Sequence, residues 1–323
     1  VTNWATNQMC RMIKRRDPKK PGFWYLSFCH PHPPLVPLTS YLDLYSDIEI
    51  DDSFCGSWSS NPKILPFALQ QIENKNAHIN KAEIKRIRRA FYALCTHIDH
   101  QLRLVLGTLR EEGLLEDAIL LFTSDHGDML GNHGLWAKRL FYEGSANVPM
   151  ILVGGRNKRV EHHSVDHRLV GWRDIMPTLL DLAEIDIPKT VEGLSMVDSK
   201  KRESLYGECG EGHVATRMLR DERYKLIYYP TGNHLQLFDL QKDPNEMVDL
   251  SRYDEHKPKL EHLTKILIGE LYDEDLEWIS QETLIGLPDL PFTPGPNKSL
   301  SGVRGSHFPP PPIDTSGSVV GIP

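Results

Sequence analysis

The chain has 323 residues, of which 40% are hydrophobic and 25% charged, with a net charge of −7. That is a globular composition with enough length for one large domain, or a domain plus a smaller one. The negative balance argues against a nucleic-acid partner, and no apolar run of about 18 residues is present to form a membrane-spanning helix.

From the N-terminus, residues 4–16 read as a short basic helix cut off at Asp17-Pro18. No apolar signal region precedes it. FWYLSF, residues 23–28, is apolar on both faces and predicts a buried central strand. It runs into CHPHPPLVP, residues 29–37, where four prolines forbid further regular structure. Asn80 and Glu83 have capping-box spacing and open a long helix, whose apolar positions from Ile84 to Leu109 recur at steps of three and four. Gly113 stops it. AILLFT (118–123) and VPMILVGG (148–155) predict two more buried strands, and RDIMPTLLDLAEI (173–185) a helix containing Pro177. This alternation specifies an α/β domain around a mostly parallel sheet. After about residue 200, YKLIYY (224–229) and LQLFDL (235–240) flank Thr231-Gly232-Asn233 and predict an antiparallel hairpin, with a helix over 256–272 packed on it. The expected division is an α/β domain over 1–200, a smaller α+β subdomain over 201–283 and a Pro/Gly-rich tail over 284–323. The five cysteines are odd in number and widely spaced, which favours a reducing, cytoplasmic compartment over a disulfide framework. No CxxC pair offers a zinc site.

Two polar loops carry the chemistry. TSDHGDMLGNHGLWAK, residues 123–138, follows a buried strand, and ligands in open α/β sheets bind beyond strand carboxyl ends. Asp125 and His126 are an adjacent carboxylate and imidazole, able to ligate one divalent metal. Gly127 lets the backbone turn away, and Lys138 is placed to return as a cation for an anionic substrate. The second loop contains His-Pro-His, residues 30–32, in which proline-fixed His32 suits a general acid.

YLSFCHPHPP, TSDHGDMLGNHGLWAK and VPMILV, in that order, resemble the sulfatase branch of the alkaline-phosphatase superfamily, and the Asp-His-Gly form is similar to its choline-sulfatase, arylsulfatase-like and phosphonate-monoester-hydrolase members. RDERYKLIYYPTGNHLQLFDLQKDPNEMVDL, residues 220–250, is similar to the family's C-terminal subdomain, where the patterns RYKLI and LFDL..DP.E recur. The resemblance implies an alkaline-phosphatase-like sandwich and hydrolysis of a small-molecule sulfate monoester, with homo-oligomerisation as a further expectation. It assigns Asp125 and His126 as two of four protein ligands to a divalent metal. It assigns Lys138 to a sulfate oxygen and the ester oxygen, and His32 to the sulfate and the leaving group. His133, in the same loop, is expected to face substrate. The family's metal is usually Ca²⁺; the nitrogen ligand at His126 makes Mn²⁺ the alternative. His30, Asp128 and Arg139 lie nearby without an assigned role.

The family's nucleophile is a Cys or Ser opening Cys-x-Pro/Ala-x-Arg, the Cys being converted to formylglycine. None of the five cysteines fits: Cys29 opens Cys-His-Pro-His but has Pro33 where Arg is required. The paired acidic ligands are also unmatched, since Asp51-Asp52 falls after the His-Pro-His loop. The expectation is therefore half of a site, from a piece of a longer sulfatase or a natural loss of its first half, with little turnover by this chain alone. The alternatives are a phosphodiesterase or phosphonate monoester hydrolase of the same superfamily, and a non-catalytic metal-binding protein.

Overall fold

The computed structural model describes residues 1–60, 65–73 and 79–291. Its elements in chain order are α1 (Thr2–Lys14), α2 (Thr39–Leu42), α3 (Phe67–Glu73), α4 (Lys81–Glu111), β1 (Leu120–Thr123), α5 (Glu143–Ala146), β2 (Met150–Val153) and α6 (Ile175–Leu182). Then come β3 (Leu205–Cys209), β4 (Thr216–Arg220), β5 (Tyr224–Tyr229), β6 (His234–Asp239), α7 (Lys257–Glu270), β7 (Ile279–Ser280) and β8 (Thr283–Leu284). They form two compact units, interleaved along the chain rather than sequential. The first comprises Val1–Asp52, His78–Phe122 and Ile151–His162; the second comprises Ser53–Ala77, Thr123–Met150 and His163–Pro323.

The first unit is organised by α4. Both halves of its capping box form: the Asn80 side chain accepts from the Glu83 N–H at 3.0 Å, and the Asn80 N–H donates to the Glu83 carboxylate at 3.0 Å. Gly113, at φ +68, ends the helix by letting Leu114 N–H reach back to the Leu109 carbonyl. Met9 and Ile13 of α1 bury against Leu109 of α4, with Trp24, Leu26 and Leu120 around them. Each fully buried apolar side chain of this size contributes about 1.5–3 kcal/mol.

FWYLSF departs from the expected buried strand. Trp24 and Leu26 face the core, whereas Phe23 and Tyr25 are 79% and 80% exposed. The segment is irregular because a strand needs a ladder partner, and among the described residues it has none. β1 and β2 pair with each other, but they are not the buried strands expected: Phe122, Ile151 and Val153 are exposed and the remaining residues are half-buried.

The second unit is built on the antiparallel sheet β3-β4-β5-β6. Tyr224 pairs with Asp239 and Tyr229 with His234, and the hairpin closes through Gly232 and Asn233, both at positive φ. Period-two alternation gives the sheet two apolar faces. Leu226, Tyr228 and Leu237 pack against Leu263 and Leu267 of α7. Ile227, Tyr229 and Phe238 pack against Met129, Leu135, Leu140 and Tyr142. The loop over residues 129–142 thus rests on the second face of this sheet. The tail expected over 284–323 lies outside the described residues from 292 onward. The five cysteines are unpaired, and among the described residues no helix is long and apolar enough to cross a membrane.

Candidate active site

Asp125 follows the end of β1 by two residues. Its Oδ2 lies 3.4 Å from Nε2 of His126. Nδ1 of His126 is 2.8 Å from the Gly127 carbonyl, which can only accept, so Nδ1 carries a proton and Nε2 is the nitrogen left to bind a metal. A carboxylate oxygen and an imidazole nitrogen at that spacing fit two neighbouring ligands on one cation, given metal–ligand bonds of roughly 2.0–2.6 Å. Oxygen and nitrogen donors together suit a divalent metal. Two ligands are fewer than such an ion requires, and among the described residues no group of three or more His, Cys, Asp or Glu side chains is placed to hold one.

Gly127 has a different role from the one its sequence context implies. Its φ is not positive. Its N–H donates to the Ser145 carbonyl at 2.8 Å, and a Cβ here would meet the Gly144 carbonyl oxygen at 2.2 Å. Close backbone approach, not a turn, demands glycine.

Asp128, without an assigned role in the sequence, closes the loop that returns Lys138. Its Oδ1 accepts from the N–H groups of Leu130 at 2.9 Å and Ala137 at 3.0 Å. Met129 N–H donates to the Ala137 carbonyl at 2.9 Å. Residues 129–137 therefore form a closed loop whose ends meet, and Lys138 re-emerges beside Asp128, two residues past His126. An Asp accepting from the amide two residues on is an Asx-turn, a signal present in Asp128-Met129-Leu130.

His133 corrects the expectation of a substrate-facing role. It is 4% exposed and lies between Phe54, Trp58 and Tyr142. Its Nδ1 accepts from the Gly56 N–H at 3.0 Å, and its other ring nitrogen donates to the Asn245 backbone. Both nitrogens are engaged within the fold, and burial pulls its pKa down to about 4 against the opposing Asn245 bond and Asp243 charge. It is a core residue because the closed loop folds it under onto the aromatic face of the sheet.

His32 lies in the first unit. Its Nδ1 is 2.7 Å from the Pro33 carbonyl, to which it donates, leaving Nε2 as the exchangeable position. His30 is bonded to the Thr2 hydroxyl at 2.7 Å, which ties this turn to α1. Asp51 and Asp52 are exposed, and Asp52 pairs with Lys85 at 3.1 Å, a solvated arrangement.

The C-terminal patterns have a physical basis. In RYKLI and LFDL..DP.E, Arg223 pairs with Asp239, its Nε lying 2.9 and 3.0 Å from the two carboxylate oxygens. Lys225, 1% exposed, bonds Glu246 at 2.9 Å, the Phe141 carbonyl at 2.7 Å and Glu143. These contacts anchor the end of the 129–142 loop to β5.

Residues 3–185 match the family "Sulfatase", and residues 131–273 match "N-sulphoglucosamine sulphohydrolase, C-terminal". The chain is 39% identical to an arylsulfatase of Clostridium perfringens over 84% of its own length and 57% of that protein's. It is 31% identical to a choline-sulfatase of Rhizobium meliloti over 76% of its own length and 50% of that protein's. It thus spans about half the length of these curated relatives. Among solved structures, a phosphonate monoester hydrolase of Silicibacter pomeroyi superposes with a TM-score of 0.73 at 21% identity, covering 86% of this chain and 62% of that one. At that identity the likeness is one of fold.

Proposed function

This chain belongs to the sulfatase family, with the family's alkaline-phosphatase-like α/β fold, and on that basis we propose that the whole protein hydrolyses a sulfate monoester at a divalent metal held in part by Asp125 and His126. Sulfatases generally use a metal ion and a formylglycine. The observation that carries the proposal is the 3.4 Å pairing of Asp125 Oδ2 with Nε2 of His126, on a backbone to which Asp128 returns Lys138.

A sulfate monoester has negative oxygens and a poor leaving group. The metal, when bound, offsets charge on the sulfate oxygens. Asp125 and His126 would be two of its ligands, and the Gly127 carbonyl takes the Nδ1 proton so that Nε2 of His126 is the nitrogen that would bind. Lys138 supplies an ammonium to a sulfate oxygen and the ester oxygen. The family resemblance assigns the proton for the leaving alcohol to His32, whose Nδ1–H is bound to the Pro33 carbonyl. His133 takes no part. Ca²⁺ is the proposed metal and Mn²⁺ the alternative favoured by the nitrogen ligand.

The test compares an aryl sulfate with the matching phosphate diester on the whole protein. Faster turnover of the sulfate supports a sulfatase. Faster turnover of the diester assigns the site to phosphodiester or phosphonate chemistry instead.

A further inference from the structure

Trp172 is 53% exposed, yet its polar handle is engaged: the indole N–H donates to the Ser124 carbonyl at 2.9 Å. Ser124 immediately precedes Asp125, and its hydroxyl donates to the His126 carbonyl at 2.8 Å. The indole is therefore tethered to the short backbone segment that carries both candidate metal ligands.

The base of the tether is rigid. Trp172 opens the single helical turn Trp172–Asp174. Asp174, fully buried, accepts from the N–H groups of Gly171 and Leu194 at 2.8 Å each and pairs with Arg202. Four interactions on one buried carboxylate fix the backbone from which the indole projects. Apolar surface left in water gives up burial energy, and the fold holds this surface in place at the margin of the site.

We propose that Trp172 forms the wall of a leaving-group subsite, where its exposed face stacks on the organic part of the ester and favours an aromatic alcohol. The proposal rests on the sulfate-ester reading above. The chemistry of the exposed surface sets the preference. With Nε1–H bonded to protein, the indole presents a π face and an apolar edge but no donor for substrate hydroxyls. A planar ring gains most from that surface, through stacking and burial. A sulfate oxyanion gains nothing from it, so sulfate binding and leaving-group binding are separable here.

The experiment measures kcat/KM of the whole metal-loaded enzyme for 4-nitrophenyl sulfate, a linear alkyl sulfate and choline sulfate, together with inhibition by inorganic sulfate. Trp172→Ala should lower the aryl value by about tenfold, mainly through KM. It should leave the other two esters within about twofold, and sulfate inhibition unchanged. Trp172→Phe should keep most of the aryl preference and Trp172→Leu should lose it; this pair retains bulk and serves if the alanine variant fails to fold. Equal losses on all three esters, or weakened sulfate inhibition, would assign Trp172 to structure and overturn the subsite. A loss concentrated on choline sulfate would replace the aryl preference with a cation preference. If the wild-type enzyme turns over no sulfate ester, both readings fall. If it does and the ester preference survives Trp172→Leu, only this one falls.

Discussion

Asp128 accepts a hydrogen bond from the Ala137 N–H at 3.0 Å, and that contact brings the two ends of the site loop together. The same oxygen holds Leu130 N–H at 2.9 Å, so Asp128→Ala leaves two backbone donors without their partner. Each lost bond to a partly buried donor costs about 1–3 kcal/mol. Lys138 follows Ala137 directly, so this variant should lose both stability in urea unfolding and kcat on an aryl sulfate. Asp128→Asn, which keeps the acceptor oxygen, should recover most of both. An alanine variant with normal kcat would show that Lys138 is positioned by something else.

Gly127 tolerates no side chain. A Cβ placed 2.2 Å from the Gly144 carbonyl forces two backbone segments apart, and overpacking of this kind costs about 1–3 kcal/mol or more. Gly127→Ala should lower the midpoint of thermal unfolding. Gly107→Ala, where a Cβ meets nothing within 4 Å, should leave it unchanged or raise it.

Stability should fall on mild acidification because of His133. Its folded pKa, about 4, lies below the ordinary value of 6.5, since burial disfavours the imidazolium. The unfolded chain therefore binds the proton first. The His133 contribution is complete above pH 6.5 and is lost as the pH falls towards 4, a total of roughly 3 kcal/mol. Urea unfolding between pH 7.5 and 4.5 should show this slope, and His133→Gln should flatten it while being less stable at pH 7.5.

Lys225 pairs with two carboxylates in the core of the second unit, Glu246 and Glu143, the latter also held by Arg220 at 3.2 Å. Burial already raises the Glu246 pKa, against the opposing pull of Lys225. Lys225→Met removes that pull and leaves Glu246 with Glu143, a loss of about 3–5 kcal/mol at neutral pH. With the lysine gone, folding takes up a proton at Glu246, so the penalty should shrink as the pH is lowered. Adding Glu246→Gln should recover part of the loss. A penalty that does not change with pH would show that packing, not charge, sets it.

Local signals were the legible ones. The Asn80–Glu83 capping box, the stop at Gly113 and the Gly232-Asn233 hairpin are each read within a few residues, and each forms. The RYKLI and LFDL..DP.E patterns were legible as family marks, but their meaning is pairwise and emerges only when Arg223 meets Asp239 and Lys225 meets Glu246. What failed is what depends on distant partners. FWYLSF has strand composition, but a strand is a relation between two segments. His133 has a site-like setting in sequence, but its fate is decided by Gly56 and Asn245, far along the chain. Trp172 carries no motif, and its bond to Ser124, a contact across the fold, is what connects it with the site.

The central claim is tested most directly by sulfate release from an aryl sulfate by the metal-loaded whole protein, compared among wild type, Asp125→Ala and His126→Ala. The account predicts measurable turnover in the wild type and a loss on the order of a thousandfold or more in each variant. Turnover that survives both substitutions would contradict it.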